Sequence, residues 1–150
     1  MRILVINGPN LNMLGVREPE LYGRGTYADL EDRIRRWAEE LGAETEIFQS
    51  NHEGAIVDRI QAALHAYDGI LINAAAYSHT SVAILDALKA VALPVCEVHL
   101  TDISAREEFR RFSYVSLIAG RVVTGKGFEG YREGLVWLID SIGENDRAGE

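Results

Sequence analysis

The chain has 150 residues, 47% hydrophobic and 25% charged, with 15 Lys+Arg against 23 Asp+Glu for a formal net charge of −8. Thirteen of the basic residues are arginine, and only Lys89 and Lys126 are lysine. So acidic a chain lacks the basic face that nucleic acid or an anionic membrane requires, no apolar run approaches the roughly 18–20 residues of a membrane-spanning helix, and the length suits one domain with a sizeable core.

The first predicted element is a strand over 3–7, apolar until Asn7. It turns polar too soon for a secretory signal, so a cytoplasmic protein is expected. An irregular stretch of about 18 residues follows, and loops of that length in a compact domain are usually lids, binding loops or disordered. Gly15, Gly23 and Gly25 can act as hinges, with Arg17 and Tyr22 between them. The stretch reads as a lid or as a plain surface loop. Leu30, Ile34, Trp37 and Leu41 then fall on one helix face, opened by a capping box of Thr26 with Asp29. A strand over 44–49 precedes a second helical pattern, Ile56, Ile60, Ala63 and Tyr67, with Ser50 and Glu53 as its capping pair.

The strand over 69–73 is again apolar, and 73–81 after it is built from small residues and hydroxyls around His79. Ser78, Thr80 or Ser81 can open the next helix (Ile84, Leu88, Val91), whose free N–H groups suit an anion. The same segment also reads as a plain helix cap with an incidental histidine. The strand over 94–98 carries Cys96, the single cysteine, which is expected as a buried thiol. Glu97 and His99, two residues apart, share a face. A carboxylate that orients an imidazole suits a general acid near neutral pH, and equally a structural pair. The charge run 106–111 reads mainly as a solvated face, with Ser104 and Glu107 as a capping pair. After a strand over 121–124, Gly125-Lys126-Gly127-Phe128-Glu129-Gly130 matches GxGxxG, but 20 residues are too few for a dinucleotide-binding β-α-β unit. Tyr131, Leu135, Leu138 and Ile142 form the last helical face, and 144–150 is expected as a flexible tail behind a single domain over 1–143.

Strands apolar on both faces imply a parallel sheet covered on both sides. Five β-α units of this size predict a flavodoxin-like, doubly wound α/β fold: a five-stranded parallel sheet in a three-layer α/β/α sandwich. Ligands of such sheets bind beyond the carboxyl ends of the strands near the topological switch point, which directs attention to the segments after Asn7, Asn73 and Val98. A flavin-phosphate loop would want Ser or Thr donors where the chain has Gly8-Pro9-Asn10-Leu11-Asn12, and a phospho-receiver would want acids where it has Asn7 and Asn73. His52, His79, His99, Glu97 and Asp86 show no HxH or HExxH spacing, so no metal site is expected.

Together these segments resemble type II 3-dehydroquinate dehydratase. The family's GPNLNxLGxRxPxxYG is met by 8–23, SNxEG by 50–54, NxxAYxHTSxAxxDA by 73–87, EVHxSNxxxRExFR nearly by 97–110, and GxGxxGY by 125–131. The resemblance implies a lyase that dehydrates 3-dehydroquinate to 3-dehydroshikimate without cofactor, by anti elimination through an enolate. It implies Tyr22 as the base at C2, His99 as the acid at the C1 hydroxyl, and Arg17 as the lid residue favouring tyrosinate. Asn10 is similar to the residue holding an enolate-stabilising water, and Glu97 to the partner of His99. Asn73, His79, Leu100, Thr101 and Arg110 match substrate-binding positions, and Asp86 a residue acting across a subunit contact. The family implies a homo-oligomer, a dodecamer built from trimers, with a small anionic substrate as ligand. A free tyrosine titrates near 10 and is about 0.1% ionised at pH 7, so a base of this kind needs a neighbouring cation. Thr101, Asp102 and Ser104 depart from the family's Ser, Asn and His, and Ala74 stands where Pro is common. A catalytically silent binder of quinate-like ligands is the rival reading, and Schiff-base chemistry would have to use Lys89 or Lys126.

Overall fold

The computed structural model describes residues 1–16, 20 and 25–149. Arg17 and Tyr22, expected as the lid cation and the base, lie outside the described residues. Five strands, β1 (Arg2–Asn7), β2 (Glu44–Gln49), β3 (Gly69–Asn73), β4 (Val95–His99) and β5 (Arg121–Thr124), pair in parallel in the order β2-β1-β3-β4-β5. This is the expected flavodoxin-like order, and its direction reverses between β1 and β3. The helices are α1 (Tyr27–Glu40), α2 (Glu53–Gln61), α3 (Val82–Val91) and α4 (Glu129–Ala148). Among the described residues no helix is long and apolar enough to cross a membrane.

Alternation along the strands builds two cores. Ile3, Val5, Leu71, Cys96 and Val98 pack with Leu30, Ile34 and Trp37 of α1 and Tyr131, Leu135 and Leu138 of α4. Leu4, Ile6, Ile70, Ile72 and Val95 pack with Ile56 and Ile60 of α2 and Ile84 and Leu88 of α3. Each such Leu or Ile taken out of water contributes about 1.5–3 kcal/mol. Close approach of α4 needs Gly134, where a Cβ would stand 2.6 Å from Leu71 and 3.1 Å from the Cys96 sulfur.

The ends of the elements hold the corrections. The Thr26 box forms, with Asp29 N donating to Thr26 Oγ1 at 3.1 Å and Thr26 N to Asp29 Oδ2 at 2.9 Å. Ser50 does not cap α2. Its hydroxyl accepts from His52 N at 3.0 Å, which closes a tight turn and starts the helix two residues later than a Ser50 cap would, at Glu53. Ser104 does not cap a helix either, because it lies inside a short 3-10 turn (Ile103–Ala105) whose own cap is Asp102. Of the three hydroxyls at the start of α3, Ser81 is the cap, accepting from Ile84 N at 2.9 Å. β4 begins at Val95 because Pro94 has no N–H, and it reaches His99. The polar segment from Glu144, expected as a tail, continues α4 in helical form to Ala148.

Candidate active site

At the carboxyl ends of β1, β3 and β4, beside the switch point, lies a cavity of about 180 Å³ lined by Pro9, Asn10, Asn73, Ala75, Ala76, His79, His99, Leu100, Thr101, Ile103, Arg106 and Arg110. Seven of the expected site residues are among them: Asn10, Asn73, His79, His99, Leu100, Thr101 and Arg110. Among the described residues no Asp or Glu belongs to this wall, which presents two guanidiniums and two imidazoles to the cavity in a chain of charge −8.

The loop after β1 is built by close approach. Gly8 N donates to Asn73 O at 2.8 Å, and a Cβ on Gly8 would stand 2.3 Å from Ala74 O, so only glycine fits. Asn10 adopts φ 68°, in the left-handed region that Asn tolerates better than most residues, and its N–H donates to Asn51 Oδ1 at 3.0 Å. Ala75, another wall residue, is held at φ 51° with its N–H on Asn73 Oδ1 at 3.1 Å.

Glu97 stands immediately behind the wall, fully buried, and His99 is 5% exposed. His99 Nε2 is 2.9 Å from Glu97 Oε1; Ser116 Oγ donates to the same oxygen and Ser113 Oγ to Oε2, both at 2.6 Å. Burial alone would push the Glu97 carboxyl upward. The bond and charge of His99 and the two serine hydroxyls outweigh it and hold the group below the ordinary carboxylate range. An ionised Glu97 only accepts, so His99 Nε2 carries a hydrogen and Nδ1 is the ring nitrogen left to exchange a proton at the cavity. The His79 ring lies 6.3 Å from that of His99, nearly parallel, and its Nδ1 donates to Phe112 O at 2.7 Å, which leaves Nε2 for a ligand.

A buried polar chain underlies the floor. Asn73 Nδ2 donates to Tyr131 Oη at 3.0 Å, Tyr131 Oη to Asn7 Oδ1 at 2.7 Å, and Asn7 Nδ2 to Tyr27 Oη at 3.3 Å. Burial pushes both tyrosines upward, Tyr131 well beyond its ordinary range, so both stay neutral. The glycine-rich turn after β5 has a local role: Gly125 N donates to His99 O at 3.3 Å and Gly127 N to Leu100 O at 3.0 Å, bracing the wall from behind.

On the far wall Arg110 Nε lies 3.1 Å from Glu107 Oε2, an ion pair whose angle is not that of a hydrogen bond. Arg106 Nη1 donates to Thr101 Oγ1 at 3.4 Å. Within the charge run expected mainly as a solvated face, Arg106 lines the cavity, because the chain after β4 folds back in short 3-10 turns rather than entering a helix. Ser113 and Ser116 stand in no motif or periodic pattern, and Tyr131, expected only on a helical face and in the last glycine motif, adds a polar link beneath the floor. Asp102 accepts both Ser104 N, at 3.0 Å, and Ser104 Oγ, at 2.6 Å, so the two departures from the family pattern form one closed turn outside the wall. Asp86 is exposed on α3 and does not join the cavity of this chain.

A family model described as "Dehydroquinase class II" matches residues 1–139. The chain is 53% identical over 146 residues to "Catabolic 3-dehydroquinase 1" of Aspergillus terreus, covering 97% of this chain and 96% of that protein. It is 54% identical over 142 residues to a 3-dehydroquinate dehydratase of Geotalea daltonii, covering 95% and 99%. Among solved structures, a type II dehydroquinase from Butyrivibrio crossotus superposes with a TM-score of 0.88 at 44% identity, over 95% of this chain and 97% of that one.

Proposed function

The chain belongs to the class II dehydroquinase family, and from that premise we propose that it converts 3-dehydroquinate to 3-dehydroshikimate by an anti elimination through an enolate, with no cofactor. The observation that carries the reading is the buried Glu97–His99 pair at a cavity whose lining, among the described residues, has histidines and arginines but no carboxylate. Such a wall favours a small anion and supplies a proton at one fixed place.

The ketone makes the C2 proton acidic enough for a side-chain base, and Tyr22 takes it. The electrons move onto the ketone oxygen as an enolate, stabilised by a water on Asn10. As the enolate collapses, the C1 hydroxyl leaves with the proton that His99 delivers from Nδ1, and water is released. Glu97 stays ionised and balances the imidazolium before the transfer. Arg17 favours the tyrosinate form of Tyr22 and stabilises developing charge. Asn73, His79, Leu100, Thr101 and Arg110 hold the substrate's hydroxyls and carboxylate. Asp86 completes the site of a neighbouring subunit in a homo-oligomer, a dodecamer of trimers, where its exposed position on α3 leaves it available.

One assay tests the reading: 3-dehydroquinate is supplied and the conjugated enone is followed in the near ultraviolet, with and without chelator and borohydride. Product is expected in all arms. Absence of product leaves a binder of quinate-like ligands, loss with chelator points to a metal, and loss with borohydride to a lysine. Tyr22→Phe is expected to bind substrate while kcat falls by at least about a hundredfold. A rate near wild type removes Tyr22 as the base.

A further inference from the structure

We propose that Ser113 and Ser116 are positioning residues of the reaction, fixing Glu97 as a buried carboxylate beneath His99 and thereby setting the orientation and the proton of the acid. The proposal rests on His99 being the acid. Neither serine belongs to the cavity wall, so both act through Glu97. Their hydroxyls reach opposite oxygens of one carboxylate, at 2.6 Å each, the separation typical of a hydroxyl donating to an anion. With His99 Nε2 on Oε1, three donors converge on a side chain that is fully buried. An uncompensated carboxylate in that position would take up a proton. A protonated Glu97 would have to donate one of these bonds, and the charge that strengthens its hold on His99 would be lost.

Among the described residues the groups facing Glu97 are few. His99 is on its own strand, and Cys96 Sγ lies 3.8 Å from the Glu97 carbonyl. The strand neighbours in register, Ile72 on β3 and Val122 on β5, are apolar. Ser113 and Ser116 come from the segment that packs over β4, and that segment is tied into the site at further points. Phe112 O takes the His79 Nδ1 hydrogen, and Tyr114 N donates to Ser78 O at 2.8 Å. Arg110 opens the same segment at the cavity wall. One stretch of chain therefore sets His79, Arg110 and the Glu97–His99 pair together, and the serines are its contact with the acid.

The test uses the full-length protein carrying Ser113→Ala, Ser116→Ala, both together, and Ser116→Thr, which keeps the hydroxyl. Glu97 is titrated by ¹³C NMR of its side-chain carboxyl, assigned with Glu97→Gln, and kcat and KM are measured against pH. Each lost hydroxyl is expected to raise the Glu97 titration by about one pH unit or more. The acidic limb of kcat should rise with it while KM changes less than about threefold, and Ser116→Thr should restore both. A Glu97 titration unmoved in the alanine variants overturns the proposal, since packing would then be the serines' whole role. A titration that moves under an unmoved kcat profile overturns instead the reading of His99 as the acid. Should the double variant fail to fold, the two single variants decide on the same readouts.

Discussion

Tyr131 shows what one side chain holds together. Its hydroxyl is the sole link between the Asn7 and Asn73 amides among the described contacts, and it is fully buried. Tyr131→Phe keeps the ring and removes the link, leaving a carbonyl oxygen and an amide hydrogen unpaired in the interior. At about 1–3 kcal/mol for each of the two stranded groups, the variant should lose about 2–6 kcal/mol in urea unfolding. Because Asn73 lines the cavity, KM for 3-dehydroquinate should rise as well; a stability unchanged within 0.5 kcal/mol, to an order of magnitude, contradicts the network. Asn7 and Asn73 could be read from the sequence as polar stops at the ends of apolar strands, since strand ends at a switch point are where ligands bind. Tyr131 could not: it is 124 residues from Asn7, and its place at a helical spacing matches a core aromatic equally well. Glu97 and His99 were legible because strand periodicity alone puts them on one face. Ser113 and Ser116, 16 and 19 residues beyond Glu97, reach it through irregular turns for which sequence has no period.

Elements were most legible where a repeat spans many residues, and least where two local bonding patterns compete. The strands and the four helical faces follow from period two and period 3.6, and the parallel sheet from burial on both faces. The capping pairs divide. Thr26 and Asp29 close their box, whereas Ser50 closes a turn on His52 and Ser104 is drawn onto Asp102. A hydroxyl bonds whichever backbone group comes nearest, and spacing alone does not decide it. The end of α3 carries a prediction of its own. Ala92 caps it at φ 53°, with its N–H on Leu88 O at 3.2 Å, a left-handed position where Gly is the usual occupant. The left-handed conformation costs an L residue about 1–2 kcal/mol, and glycine's extra freedom when unfolded returns about 0.5–1 kcal/mol of that. Ala92→Gly should therefore stabilise the fold by about 0.5–1 kcal/mol and raise Tm by a few degrees, with kcat unchanged. A lower Tm in calorimetry refutes the balance.

For the molecule as a whole, the buried ionisable groups set a window of pH within which the fold is stable. On the acid side the group that matters is Glu97. Burial would raise it, yet His99 and the serines hold it below the ordinary carboxylate range, so its contribution is complete above the unfolded value near 4.5 and is lost as pH falls through the folded one. Asp29, Glu46, Asp102, Glu107 and Glu133 are also held low by hydrogen bonds, but they face water, where screening leaves them little weight. On the alkaline side the sign reverses. Burial pushes the Cys96 thiol from 9.0 up to about 12, so the unfolded chain ionises first and stability falls as pH rises from 9 towards 12. That span corresponds to about 4 kcal/mol at its upper end. Tyr27 and Tyr131, raised from 10.0 by burial, add to the loss only above pH 10. Urea midpoints measured from pH 3 to pH 11 should therefore form a plateau between about 5 and 9. In Cys96→Ala the plateau should be lower, because a cavity opens against Gly134 and Leu71, and its alkaline edge should move from near 9 to near 10, where the tyrosines take over. An edge that stays at 9 in the variant assigns the alkaline loss to another group.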